Sequence, residues 1–528
     1  MSPRAPAKMG HRMSAQATFT DYSALRRFRA FETIAACGPV ALALVAAGGV
    51  AFGFFVWYTA ITHAHVGRAA SELTLVASLV VGLAAVFGGW YLYGRYFARR
   101  SGVGIVTALK WDAPSWATFV LYPLGLFVPV WLGSPARSAG IVLGLFALFK
   151  ILVAARFVHT VRDVLVTFTV TRFSIIVIAE LASIVIAQRP GLHVAASANP
   201  LLAVWGRWDA VHYLDISERG YYGTDMAFFP LYPILIHTVA RFVGSALIAG
   251  MLISNVAFFF GLLFFYKLVE HQFTRSVAHR AIFYVSIFPT AIFFSAVYTE
   301  SLFFLLTVAS FYYIREHKWV LGGAIGGLAA LPRSEGVLLA VPFAIEAFSA
   351  ARSMGFGRFL AAPRRMVRMA IGLALIPLGL GLYMAWLWVL NGDPLYFSHV
   401  QIHWNRHLAP PWVSFIHAYK VLSTTHTSSV FAGEVIEVAF TILMIGVFVA
   451  GLRRLRPSFA AYMALSILVP LSTSSLMSMP RFALVLFPMF VVLALWGGRS
   501  AVNSAIVAFS LPLLGLFTVL FANWYWVA

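Results

Sequence analysis

The sequence is poor in charged residues and has almost no cysteine. Only 11% of its 528 residues are charged, and 38 lysines and arginines outnumber 18 acidic residues. The single cysteine, Cys37, excludes a disulfide within the chain and argues against a cysteine-based zinc site. Hydrophobic residues make up 61% of the chain. A soluble globular protein of this composition would expose an apolar surface to water, so that class is excluded.

Apolar runs of about 20 residues recur along the whole chain, and this is the length that crosses the bilayer core as a helix. Within hydrocarbon every backbone polar group must be paired internally, so the runs are helices. We therefore predict an all-α polytopic membrane protein with the lipid bilayer as a partner. The net charge of +20 is explained by basic residues in short cytoplasmic loops that face anionic lipid. No nucleic-acid partner is expected.

The apolar runs predict roughly fifteen crossings. About four of them lie in residues 1–160, which we interpret as an additional N-terminal transmembrane module preceding a core over residues 161–528. Pro230 and Pro233 weaken the run Phe228–Gly244 as a spanning helix, so it is placed at the outer membrane interface. The predicted crossings of the core cover residues 165–188, 246–268, 280–297, 299–314, 319–332, 336–350, 369–390, 430–451, 458–475, 481–497 and 502–522.

Polar residues collect in two long loops, 189–228 and 391–430, and in the turn 332–336. Basic clusters place the alternate connections in the cytoplasm, so these three segments are predicted to lie outside. The cytoplasmic turns are short and contain nothing that resembles a nucleotide site. We therefore expect the chemistry on the extracytoplasmic face of the plasma membrane, or of the endoplasmic reticulum membrane in a eukaryotic source.

The most informative stretch is Arg207–Pro233, which holds four of the 18 acidic residues. Asp209 is the strongest candidate, with His212 and Tyr213 close by in sequence. It is interpreted equally well as a helix cap or as a catalytic base. The same tripeptide, Trp-Asp-Ala, occurs at residues 111–113, where Asp112 is predicted to cap the next helix. The other three acidic residues of the stretch are Asp215, Glu218 and Asp225.

Three further groups of polar residues are candidates. Arg333 lies where two short apolar runs meet, with Glu335 as a possible ion-pair partner, and arginine is suited to holding a phosphate by a two-pronged contact. Arg481 could snorkel toward water or touch a lipid phosphate. The segment 399–407 carries His399, His403, Arg406 and His407. A polar strip that contacts a phosphate is favoured there over a metal site, since no carboxylate joins the histidines in spacing.

Five short motifs, read in order, resemble the PIG-V family of GPI mannosyltransferase II. The resemblance covers about residues 165–500. Glu335 replaces an asparagine of the family, and residues 1–160 have no counterpart. The motifs are Arg207–Ala210 with Gly220–Tyr221 and Ala227–Pro230; Tyr298–Leu302; Arg333–Gly336; Gly392–Pro394 with Gln401, Trp404 and Arg406; and Arg481–Phe482 with Phe487–Pro488.

The resemblance implies a GT-C glycosyltransferase fold and transfer of mannose from a polyprenyl-phosphate-linked donor to an extracytoplasmic acceptor such as a glycolipid. It maps the family's loop aspartate onto Asp209 as general base, and no cofactor or metal is required. Cationic side chains would hold the leaving phosphate, namely Arg333, Arg481, Arg406 and His403. The substrate pocket is predicted to include Trp208, His212, Tyr213, Asp225, Phe229, Tyr298, Glu300, Glu335 and Gln401.

Two readings from other classes remain open. A lipid or lipid-linked-sugar transporter or flippase would also place charges at membrane depth, although it would usually show paired halves with matching broken helices. We find no such internal repeat in the sequence. A non-catalytic lipid-binding scaffold is the third reading.

Overall fold

The structure is a computed structural model. It describes residues 80, 84, 86–95, 98, 104–118, 135–191, 196–425 and 429–527. These residues form helices joined by turns, and the part of the chain that is described contains no strand. The chain divides into two compact units, residues 1–157 and 158–528. Much of the predicted N-terminal module lies outside the described residues, so its role as an added module stays a prediction.

In the first unit, a buried ion pair joins helix α1 (Ile105–Ala117) to helix α2 (Pro135–Phe157). Asp112 lies inside α1 and is paired with Lys150 of α2. Its carboxylate also accepts hydrogen bonds from Ser115 Oγ at 2.6 Å and Trp116 Nε1 at 2.8 Å. The predicted capping role of Asp112 is therefore wrong, because its side chain neutralises a buried lysine instead of capping a helix end.

The second unit contains the long helices that the apolar runs predict. Six helices among the described residues are long and apolar enough to span a membrane, or seven if the bent pair Met479–Val485 and Phe487–Trp496 is one span. The all-α polytopic membrane fold is thereby confirmed. The helices of this unit are α3 (His159–Val185), α4 (Pro200–Ala203), α5 (Ala210–Arg219), α6 (Leu231–Val243), α7 (Ala246–Gln272), α8 (Arg275–Ser286), α9 (Glu300–Arg315), α10 (Trp319–Ala329), α11 (Ala340–Met354), α12 (Phe356–Leu360), α13 (Pro363–Asn391), α14 (Tyr396–His399), α15 (Pro411–Thr424), α16 (Ser429–Gly451), α17 (Pro457–Leu471), α18 (Met479–Val485), α19 (Phe487–Trp496) and α20 (Ser500–Ala522).

Several predicted crossings correspond to helices shorter than the bilayer core. Helices α8, α9, α10 and α17 have 12, 16, 11 and 15 residues, fewer than the roughly 20 needed to span. The run that was placed at the interface forms the 13-residue helix α6, with Pro230 at its N-cap. Short helices of this kind leave polar connections between the long spans, and those connections carry the candidate site.

Close packing of small residues fixes the turn that carries Arg333. Helices α10 and α13 approach so closely that a Cβ added at Gly323 or Gly379 would collide with the backbone of the opposite helix. Small residues allow such contact between helices in a membrane, where no hydrophobic force drives association. The start of α6, just after the first long loop, also holds the turn after α10, since the Leu231 amide donates to the Leu331 carbonyl at 3.2 Å.

The two long loops fold against each other at one end of this unit. Tyr383 near the end of α13 donates to the Met226 carbonyl at 2.9 Å, and Phe397 packs edge-on against Phe229 with ring centroids 5.3 Å apart. The second loop also pairs with the segment before α18, where the Ser474 amide donates to the His407 carbonyl at 2.9 Å. Four connections that are distant in sequence therefore meet at the same end.

Candidate functional site

A buried arginine, Arg481, joins two carboxylates from distant parts of the chain. Its Nη1 lies 2.6 Å from Asp209 Oδ2, and its Nε lies 2.7 Å from Glu300 Oε1. Charge-assisted hydrogen bonds of this length are among the strong ones in proteins. Arg481 therefore neither snorkels to water nor stands free for a phosphate, and it is the bridge that holds Asp209 in place.

The ion pairs continue from Glu300 to the turn after α10. Arg333 Nη1 lies 3.1 Å from Glu300 Oε1, and Arg333 Nε lies 3.8 Å from Glu335 Oε2. We call these five residues, Asp209, Arg481, Glu300, Arg333 and Glu335, the ion-pair chain. Glu335 is thus a secondary partner of Arg333, and Glu300 is the primary one.

Exposure changes along the ion-pair chain. The side chain of Glu300 is 0% exposed, that of Arg481 is 8% and that of Arg333 is 11%, whereas that of Asp209 is 25%. Among the described residues, the hydrogen bonds of the Asp209 side chain involve Oδ2 and not Oδ1. The ion-pair chain therefore ends at Asp209 in a partly exposed carboxylate that is held by buried charges.

The backbone before α5 directs Asp209 toward Arg481. Trp208 adopts a left-handed conformation with φ of 58°, which is rare for a residue with a large side chain. Its ring packs edge-on against Trp524 and Trp526. Asp209 occupies the N-cap position of α5 but makes no side-chain capping bond. Of the two readings of Asp209 left open by the sequence, the helix cap is therefore not observed.

Tyrosines close the buried side of the site. Burial raises the pKa of Tyr213, and the negative charges of Glu300 and Asp209 raise it further, so the phenol stays protonated beside the carboxylates. Tyr298 is also buried, and its hydroxyl donates to the Arg207 carbonyl at 3.0 Å. Both tyrosines lie on the buried side of the ion-pair chain, and their place in a substrate pocket stays a prediction.

Arg406, a further cationic residue of the site, lies next to Arg333. The two guanidinium groups approach the ring of Phe482, at 5.5 and 5.2 Å from its centroid. Arg406 Nε donates to Thr473 Oγ1 at 3.4 Å, and no ion pair of Arg406 with a carboxylate is found within the described part of the chain. Burial lowers the pKa of Arg406, as does the nearby positive charge of Arg333. A bound anion would relieve both effects.

The other side of Asp209 is a polar and aromatic surface. His212 lies one helical turn after Asp209, and its Nδ1 is 2.9 Å from Asp225 Oδ1. The imidazole stacks on Phe228 with centroids 4.5 Å apart, and Trp404 stands edge-on at 6.3 Å. We call His212, Phe228 and Trp404 the aromatic surface. Asp225 fixes the ring of His212 and with it the shape of this surface.

Some predicted residues lie away from the ion-pair chain. Phe229 is buried in a separate hydrophobic cluster with Tyr383. His403 is exposed and Gln401 is half-buried. Among the described residues, neither side chain forms a hydrogen bond to a member of the ion-pair chain. His399 pairs with Asp393 at 2.7 Å. The three histidines do not share a helix face, because the helical turns end at Trp404. No group of three or more potential metal ligands occurs in the part of the chain that was described.

Glu437, which the sequence pattern did not single out, holds the backbone at the start of the helix that carries Arg481. It is buried within α16, and its two carboxylate oxygens accept hydrogen bonds from the backbone amides of Ser478 and Met479 at 3.0 and 2.8 Å. The amides of Ser478 and Met479 lie at the start of α18, three and two residues before Arg481. The sequence did contain a signal for Glu437. It is an acidic residue inside a predicted spanning helix, and such residues are rare and usually functional.

We expect Glu437→Gln to misplace Arg481. The amide NH2 of glutamine would face a backbone N–H, leaving one buried donor without an acceptor at a cost of about 1–3 kcal/mol. Thermal unfolding should occur at lower temperature and turnover should fall. Glu434→Gln, one turn earlier on α16, is the matched control, because one oxygen of Glu434 is buried without a hydrogen-bond partner. Equal effects of the two substitutions would contradict the positioning role of Glu437.

Comparison with known proteins agrees with the motifs. The family model described as mannosyltransferase (PIG-V) matches residues 147–349. Two curated relatives, both GPI mannosyltransferase 2 of Cryptococcus neoformans var. neoformans serotype D, from strains JEC21 and B-3501A, are 30% identical over 145 residues. Each match covers 25% of this chain, and the chain spans about a third (34%) of the length of these relatives. The predicted resemblance is confirmed: residues 147–349 of this chain are similar to the PIG-V mannosyltransferase family.

Proposed function

We propose that this protein is an integral-membrane mannosyltransferase. It moves a mannosyl unit from a polyprenyl-phosphate-linked donor to an extracytoplasmic acceptor, such as a glycolipid. The observation that carries the proposal is the ion-pair chain, which connects the partly exposed carboxylate of Asp209 through Arg481 and Glu300 to Arg333. Arg333 and Arg406 both lie against the ring of Phe482. The family match supports the mannosyl group, and the donor, the acceptor and the residue roles are our inference.

Asp209 is the proposed general base. A hydroxyl is a poor nucleophile until its proton is removed as it attacks, and a positioned carboxylate can accept that proton. Arg481 holds Oδ2 at 2.6 Å and thereby fixes the orientation of the carboxylate. Oδ1 then points its lone pairs to the acceptor hydroxyl. Attack at the anomeric carbon forms the new C–O bond, the bond to the donor phosphate breaks, and the phosphate leaves with the electron pair.

Arg406 and Arg333 are proposed to hold the leaving phosphate. The negative charge that develops on the phosphate oxygens is stabilised by cations placed in advance, which costs no reorganisation during the reaction. Arg406 is the stronger candidate, since its guanidinium has no carboxylate partner within the described residues, whereas Arg333 is shared with Glu300. Arg481 is assigned to Asp209 and not to the phosphate.

The aromatic surface is proposed to bind the acceptor. Aromatic rings offer a flat apolar face with polar groups at their edge, which suits the C–H face of a sugar. His212 lies one helical turn after Asp209 and stands edge-on to Trp404, and we propose that a sugar stacked there brings a hydroxyl toward the carboxylate. A transporter would need no such base, and detection of a mannosylated product from purified protein separates the two readings.

Asp209→Asn should remove the base while keeping the size of the side chain. Base catalysis by a positioned side chain contributes about 10²–10⁴-fold, so turnover should fall by at least about 10². Turnover is measured with purified protein, polyprenyl-phosphate mannose and a lipid acceptor.

The matched control is Asp215→Asn on the same helix. Asp215 forms a more exposed pair with Arg219 at 3.2 Å, and exposed pairs contribute little to stability. Asp112 is unsuitable as a control because it neutralises buried Lys150. A folded Asp209→Asn protein with turnover near that of the control would disprove the assignment.

Arg406→Gln should weaken donor binding. Loss of a hydrogen bond to a charged group costs about 1.5–3 kcal/mol, so the KM for the donor should rise by about 10- to 100-fold. Arg219→Gln, in an exposed pair of the first loop, should leave the KM unchanged. Arg333→Ala is a poorer test of the phosphate site, since it would leave buried Glu300 with one cation fewer and harm folding as well. An unchanged donor KM in Arg406→Gln would remove this residue from the phosphate site.

The site is proposed to face the extracytoplasmic side of the plasma membrane, or the lumen of the endoplasmic reticulum in a eukaryote. In a Cys37→Ala background, an impermeant maleimide added to intact cells should label Tyr222→Cys, which is exposed in the first loop. It should not label Arg453→Cys until the membrane is permeabilised, because basic loops remain in the cytoplasm. The reverse labelling pattern would contradict the orientation.

A further inference from the structure

A cavity of about 620 Å³ lies at the end of the second unit opposite to the candidate site. Helix α9 runs from Glu300 in the site to Arg315 beside the cavity, and its 16 residues separate the two ends by about 24 Å. Helix α13 begins at the cavity and ends before the loop that carries Arg406. The residues that line the cavity and bear on its chemistry are His317, Trp319, Pro363, Arg364, Arg365 and Arg368.

The polar lining is positively charged. Three arginines within five residues point into one cavity, and no aspartate or glutamate lines it. Helix α13 begins at Pro363, so the positive end of its dipole opens on the same space. The charges and the dipole together favour an anion.

Two arginines near this end pair with a buried carboxylate. Arg315 Nη1 lies 3.1 Å and Arg456 Nε lies 3.4 Å from the carboxylate of Glu346. In contrast, the described residues include no carboxylate that pairs with Arg364, Arg365 or Arg368. The recorded side-chain bond of Arg365 is a long contact of 4.0 Å to the sulfur of Met354. The positive charge of the cavity is therefore uncompensated by this part of the protein.

The remaining walls restrict the shape and the charge of the ligand. The indole of Trp319 is buried, and its centroid lies 5.4 Å from the His317 ring. Burial lowers the pKa of His317, and Arg365 and Arg315 lower it further. A neutral imidazole can donate one hydrogen bond to an anion without adding to the repulsion among the arginines.

We propose that this cavity binds the phosphate-bearing headgroup of an anionic lipid. Arginine suits phosphate because its planar fork matches two phosphate oxygens. A lipid is favoured over a soluble phosphate compound because exposed apolar side chains, Phe356, Leu360 and Val367, lie in the helices next to the cavity. Acyl chains would lie against these side chains where α13 enters the bilayer.

The test measures lipid binding, so it does not depend on transferase activity. Purified protein in detergent is titrated with phosphatidylglycerol and with phosphatidylcholine of the same acyl chains, and bound lipid is counted by native mass spectrometry. We expect selective binding of phosphatidylglycerol. The triple variant Arg364→Gln, Arg365→Gln, Arg368→Gln should bind it at least about tenfold more weakly, since each basic residue near a lipid contributes about 1 kcal/mol.

A matched triple variant separates the cavity from general surface charge. Arg352→Gln, Arg358→Gln, Arg453→Gln removes the same charge from exposed positions outside the cavity and should change affinity by less than about threefold. An equal loss in both triples would overturn the proposal. If the cavity triple variant does not fold, the lipid affinity of the single variant Arg364→Gln is compared with that of Arg358→Gln. Arg364 is at an exposed position.

Inorganic pyrophosphate is the probe that tests whether the cavity binds a soluble phosphate compound instead of a lipid. Displacement of phosphatidylglycerol by millimolar pyrophosphate would support a phosphate site that a lipid occupies. Tight pyrophosphate binding with no selectivity between the two lipids would show a soluble ligand and overturn the lipid assignment.

Discussion

The two ion pairs of Arg481 are the interaction on which the rest of the site depends. Arg481 links Asp209 of the first loop to Glu300 at the start of α9, and both contacts are shorter than 3 Å. Breaking a buried pair by removing one partner typically costs about 3–5 kcal/mol, because the other charge is left uncompensated. The position of the proposed base is therefore fixed by charges that the protein cannot easily lose.

The same interaction explains the division of roles among the cations. Two carboxylates occupy Arg481, and Glu300 also neutralises part of Arg333. Arg406 remains without a carboxylate among the described residues and faces the ring of Phe482 from the second loop. In the proposed reaction, the held carboxylate of Asp209 would take a proton and the guanidinium of Arg406 would hold a phosphate. A transfer from a lipid phosphate needs both groups.

The sequence was sufficient to predict the all-α membrane fold and the long spans. Asp209, His212 and Asp225 were singled out because acidic and polar side chains are conspicuous in an apolar chain, and their roles stay proposals. Asp112 was assigned wrongly, since its partner Lys150 is 38 residues away and local pattern does not show long-range pairing. Glu437 and the bridging role of Arg481 were missed for the same reason. The family match ends at residue 349, yet Arg481 completes the site from outside it.

The central claim is a direct displacement in which Asp209 takes the acceptor proton and no covalent sugar–enzyme intermediate forms. A single displacement inverts the configuration at the anomeric carbon. The decisive measurement is the anomeric configuration of the product, determined by NMR after turnover of polyprenyl-phosphate mannose of known configuration by the purified protein. The account predicts a mannosylated product with the configuration inverted relative to the donor. A product with retained configuration would contradict it.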